Sequence, residues 1–84
     1  MIHKSYIEGY SFPELAEEIG NLRYDALNLF LEQLARKLQK DSQADAKRGR
    51  KQLAQALQQT AQKLDEARSA VREAWRICQP FMDS

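Results

Sequence analysis

Few residues of this chain have the type and spacing that chemistry needs. His3 is the sole histidine. It has no partner three or four positions away, as a metal pair on a helix requires, and the Glu-x-x-His motif of di-iron bundles is absent. A solvated histidine is the simpler reading, and no metal or cofactor is expected. Cys78, the sole cysteine, falls on an apolar helical stripe where a small buried residue belongs. A catalytic cysteine would need an imidazole or cation to lower its pKa. Glu18, Asp25 and Glu32 repeat at seven-residue spacing, which suits a cation or a basic partner but equally the solvated back of an amphipathic helix. No nucleophile is paired with a base, so the chain is expected not to be an enzyme.

Two positively charged features merit closer reading. Arg23 falls among Ile19, Ala26, Leu27 and Phe30, inside an apolar arc. A guanidinium buried there must find a carboxylate or carbonyls, and Asp65 or Glu66 is the expected partner. Lys47-Arg48-Gly49-Arg50-Lys51 is the single dense charge run. Lys47, Arg48, Arg50 and Lys51 are possible phosphate contacts, giving an alternative function as a nucleic-acid-associated accessory protein. Against that stand a formal net charge of only +1 and the lack of any helix-turn-helix, zinc knuckle or aromatic platform.

The elements that position these residues are helical. Good helix formers dominate the 84 residues, with 43% hydrophobic, 30% charged, 3 Gly and 2 Pro. The expected fold is all-α: two long antiparallel helices forming a hairpin, preceded by a short N-terminal arm. Residues 1–11 read as the arm, 12–40 as the first helix, 41–44 as the turn, 45–79 as the second helix and 80–84 as a loose tail, all in one domain. Ser11-Phe12-Pro13-Glu14 has capping-box spacing with proline in the first turn. Asp41 or Ser42 is the expected cap of the second helix, with a loop running on to Gly49 as the alternative. Pro80 limits the far end.

Leu53, Leu57, Thr60, Leu64, Ala67, Val71, Ala74 and Cys78 alternate at spacings of four and three, a coiled-coil seam. On the first helix Leu15, Ile19, Leu22, Ala26, Leu27, Phe30, Leu31 and Leu34 contribute to an apolar arc of roughly 220° at ~100° per residue. One partner helix cannot shield so wide an arc, and each bare leucine forgoes about 1.5–3 kcal/mol of burial. Those residues, with Arg23, are therefore the candidate dimer interface of a four-helix bundle, in either parallel or antiparallel arrangement. A foreign protein partner satisfies the same physics.

A turn near 41–44 would oppose residues whose numbers sum to roughly 84–88, placing Leu31 against Leu53 or Leu57 and Ile19 against Leu64 or Ala67. The second helix would then overhang the first, so Tyr6, Tyr10, Phe12, Trp75 and Phe81 are expected to form an aromatic cluster closing the open end. Nothing resembles a membrane span or signal peptide, and one cysteine suits a reducing compartment, so a cytoplasmic location is expected. The function these readings favour is a small non-enzymatic interaction or regulatory module acting as a homodimeric bundle.

Overall fold

The computed structural model describes residues 3–81, so the ends of the expected arm and tail, residues 1–2 and 82–84, lie outside the described residues. Three helices follow one another: α1 (Phe12–Gly20), α2 (Tyr24–Lys47) and α3 (Lys51–Cys78). A short 3-10 turn at Gln79–Phe81 extends α3. The helical hairpin is formed by α2 and α3, which pack along their length.

The capping box forms as the spacing predicts. Ser11 Oγ and Ser11 N both donate to Glu14 Oε1, at 2.7 and 3.0 Å, and the Glu14 amide donates back to Ser11 Oγ at 3.3 Å. The Ser11 hydroxyl, then its amide, holds the Glu14 carboxyl below its ordinary pKa. A depressed folded-state pKa means a contribution that is present above the ordinary carboxylate range and lost as pH falls through the folded value. Amide-exchange protection at the start of α1 is therefore expected to drop on acidification. In Ser11→Ala it should be low at every pH, and an equal acid response in both proteins would disprove the linkage.

Two boundaries differ from the sequence reading. The expected first helix, 12–40, is interrupted at Asn21-Leu22-Arg23. The Asn21 amide donates to the Glu17 carbonyl at 2.9 Å and ends α1, and the Arg23 carbonyl then accepts from Leu27 N at 2.9 Å, starting α2 afresh. The turn is also displaced, from 41–44 to Arg48-Gly49-Arg50. Gly49 holds φ +79°, a left-handed conformation that costs a side chain roughly 1–2 kcal/mol. The Arg50 amide closes the turn on the Asp45 carbonyl at 2.9 Å. Residues 41–47 remain helical because Lys37 and Asp41 pair one turn apart at 2.6 Å and because Ser42 and Asp45 are buried against α3.

The shifted turn resets the register. Ser42 Oγ donates to the Ala54 carbonyl at 2.5 Å, and Asn28 Nδ2 donates to the Arg68 carbonyl at 3.1 Å. Facing residues thus sum to 96 and not to 84–88, so Leu31 does not oppose Leu53. A side chain reaching the neighbouring helix's backbone requires close approach, and small residues allow it. Ala35 and Ser42 of α2 meet Ala54 and Ala61 of α3, each pair at seven-residue spacing.

Those residues are nearly the whole interior. Ala35, Ala54 and Ala61 are the buried hydrophobic residues among those described, and no large side chain is fully buried. The radius of gyration is 15.6 Å against about 12 Å for a compact chain of this length. The molecule measures 53 × 29 × 13 Å, a flat single layer.

Candidate protein-binding face

The hairpin has two unlike faces. On one, Arg68 sits in the α2–α3 seam and uses all three guanidinium nitrogens: Nε donates to Asn28 Oδ1 at 3.0 Å, Nη1 to Asp65 Oδ1 at 3.0 Å and Nη2 to Glu32 Oε2 at 3.1 Å. Arg68 therefore takes the role expected of Arg23. Planar, forked donors answered by two helices fix relative position better than apolar contact does. Glu32, expected on a solvated stripe, is a member of this network.

The opposite face is apolar. With the α2–α3 contact centred on Ala35 and Ala61, the ~100° helical step turns Leu27, Phe30, Leu31, Leu34 and Leu38 of α2 to one side. By the same step α3 turns Leu53, Leu57, Leu64, Val71 and Cys78 to that same side, because antiparallel neighbours present equivalent flanks. None of these ten is buried. Phe30 is 40%, Leu34 37% and Leu53 45% exposed, and the others are half-buried. Thr60, assigned to this stripe, is exposed and donates to its own helix at Ala56 O, 2.9 Å away. Leu29 points away from this face and is solvated.

The remaining candidate interface residues are divided by the break. Leu15 and Ile19 are half-buried on α1, and α1 buries no residue. Leu22 lies in the break, exposed, while Ala26 is half-buried in the first turn of α2. Arg23 is exposed, not buried, and does not reach Asp65 or Glu66. It makes a two-pronged pair with Asp25, at 2.7 and 2.9 Å, and lies 5.4 Å from the centre of the Trp75 ring. The Asp25 partner raises the Arg23 pKa, and the guanidinium in turn lowers that of Asp25. Asp25 Oδ1 also accepts the Ala26 amide at 2.9 Å, serving an unpaired donor at the start of α2.

The expected aromatic cluster at the open end does not assemble in the single chain. Tyr6, Tyr10, Phe12 and Phe81 are exposed, Phe81 at 80%. The break explains this, because α1 turns back at Gly20 and carries the arm away from the open end. Gly9, at φ +89°, reverses the arm between the bridged residues Ile7 and Tyr10. His3 consequently reaches the turn end of the hairpin, where it lines an open trough of about 700 Å³ with Leu38, Asp41, Asp45, Arg50, Leu53 and Leu57.

No family model, no curated protein and no solved structure matches this chain. The site must be read from its own chemistry.

That chemistry is one of surfaces. Among the described residues, no three His, Cys, Asp or Glu side chains are placed to hold a metal ion. No helix there is long and apolar enough to cross a membrane. At the turn, Asp45 stands 3.9 Å from Arg48 Nη1 and 3.4 Å from Arg50 Nη1, offsetting part of the positive charge that suggested phosphate binding. Lys47 and Lys51 flank them, exposed. Sequence reasoning missed Arg68, Asn28 and Asp45. The seven-residue interval linking Ala54, Ala61 and Arg68 was the signal that marks the true seam.

Proposed function

We propose that the chain is a non-enzymatic protein-interaction module that works as a homodimer, two hairpins joining their apolar faces into a four-helix bundle. The observation carrying this reading is that the buried hydrophobic residues among those described are three alanines, while leucines crowd one open face. Apolar side chains of that number stabilise a small protein only when something removes them from water. The face is also large enough. It runs about 17 Å along α2, from Leu27 to Leu38, and about 38 Å along α3, from Leu53 to Cys78, so at about 10 Å per helix it presents roughly 550 Å² per partner, at the lower end of specific interfaces. The exposed polar flank, the basic turn and the exposed aromatics then serve as outward surfaces for a larger partner. The free thiol of Cys78 suits the reducing cytoplasm, where we place the protein.

Sedimentation equilibrium of the purified chain at micromolar concentration tests the reading. The expected mass is twice 9.7 kDa. A single, fully helical 9.7 kDa species across that range would refute it.

A further inference from the structure

Independently of the dimer reading, we infer that the polar flank at the turn end of the hairpin binds the phosphate backbone of a nucleic-acid duplex, without regard to sequence. A near-neutral total hides a polarised chain. Residues 36–60, which by the register form the turn half of the hairpin, carry seven Lys or Arg and two carboxylates, whereas the rest of the chain carries six and ten. Charge of one sign gathered at one end attracts a polyanion that a net charge of +1 does not suggest.

The two carboxylates of that half are kept off the polar flank. Asp41 and Asp45 line the trough on the apolar side with Leu38, Leu53 and Leu57, and they engage Lys37, Arg48 and Arg50. With Ala35 and Ser42 facing α3, the ~100° helical step turns Arg36, Lys40 and Lys47 toward the opposite flank. The same step from Ala54 turns Lys51 to that flank from α3. Arg36 and Gln39 line a shallow groove there beside Arg68. Among the described residues, Lys40, Lys47 and Lys51 have no ion-pair partner, and Arg36 meets Glu32 only at 3.8 Å. All four cations are exposed. Gln39, Gln43, Gln55 and Gln58 occupy the flank between them with exposed neutral amides, able to donate to phosphate oxygens. The next carboxylates along the flank, Glu32 and Asp65, are held by Arg68.

From Arg36 to Lys47 the line runs about 17 Å, the rise of about five nucleotides in each strand of a duplex. A row of cations with no carboxylate among them matches a polymer whose charges also repeat with one sign, whereas a protein surface mixes both signs. A lipid surface would require large apolar side chains beside the cations, and the turn half of this flank has none larger than Ala46. It has no aromatic side chain to stack on splayed bases either, which favours a closed duplex over a single strand. The flank lies opposite the apolar face, so two copies joined through that face would leave it open.

Fluorescence anisotropy of a labelled duplex of about 20 base pairs, titrated with the full chain at about 50 and about 200 mM salt, tests the assignment. Four phosphate contacts predict a logarithmic salt slope of about −3.6, so affinity should fall about a hundredfold between the two conditions. A duplex of unrelated sequence should bind within about twofold. Lys40→Gln with Lys47→Gln should shrink the slope by about two and weaken binding more than about tenfold at the lower salt. Arg48→Gln with Arg50→Gln removes the same charge from the other side of the turn and should leave the slope unchanged. These sites are exposed, so circular dichroism should report the same helix content throughout. Equal losses from the two pairs would overturn the flank, since overall charge alone would then explain them. A lack of salt-dependent binding would overturn the duplex as partner. So would tighter binding to poly-glutamate or to vesicles of phosphatidylcholine and phosphatidylserine. None of these outcomes alters the mass expected in sedimentation, so this inference and the dimer reading fail separately.

Discussion

Ala61→Leu is expected to destabilise the hairpin by about 3 kcal/mol, a large share of the 5–15 kcal/mol that holds a small protein folded. Ala61 is 0% exposed and lies at the centre of the α2–α3 seam. On that seam a serine hydroxyl reaches the opposite helix's carbonyl oxygen at 2.5 Å. Three added carbons cannot be housed without driving the helices apart. Separation would stretch both the Ser42–Ala54 and the Asn28–Arg68 hydrogen bonds and leave buried polar groups unpaired. Leu29→Ala is the matching control. Leu29 is exposed and off the apolar face, so its loss should cost less than about 0.5 kcal/mol. Urea unfolding followed at 222 nm, with all proteins at one concentration because association contributes to stability, reads both effects. An unchanged midpoint for Ala61→Leu would show that the helices are not seated on their small residues.

That seam also shows where sequence reasoning succeeded and where it failed. The hairpin, the capping box and the limit at Pro80 were legible because each depends on local spacing. The turn was misplaced because Asp41-Ser42 has the composition of a cap. Nothing local distinguishes a serine that caps a helix from one that spends its hydroxyl on a neighbouring helix twelve residues away. Gly49 was the decisive residue, since the chain takes a positive φ there. The break at Asn21 was hidden for the opposite reason. Leu15, Ile19, Leu22 and Ala26 keep helical spacing straight through it, so periodicity overrode the stop signal of Gly20-Asn21. With the turn displaced by several residues, Arg23 and Arg68 exchanged roles. Arg23 became an exposed clasp on Asp25 and Trp75, and Arg68 moved into the seam. The apolar excess of the N-terminal half needed no correct register, because it counts side chains and not their partners.

Leu34→Glu with Leu53→Glu is expected to raise the dimer dissociation constant about a thousandfold, some 4 kcal/mol, while leaving each hairpin folded. Both leucines are more than a third exposed in the single chain, so neither supports the α2–α3 seam. They lie on different helices of the same face, and a self-complementary interface meets every substitution twice. Four carboxylates would then enter an apolar layer. Those at position 53 have Arg50 in the same trough, whereas the cation one turn from position 34, Lys37, is already paired with Asp41 at 2.6 Å. Each must either stay hydrated, which holds the faces apart, or take up a proton at a cost that rises with pH. Dissociation should therefore be nearly complete at neutral pH and partly reversed as pH falls through the carboxylate range. Sedimentation at matched concentrations measures the mass, and circular dichroism verifies that helix content is kept. A variant that dimerises as tightly as the parent would move the interface off this face, onto the polar flank or α1, and would leave the exposed leucines to a different partner.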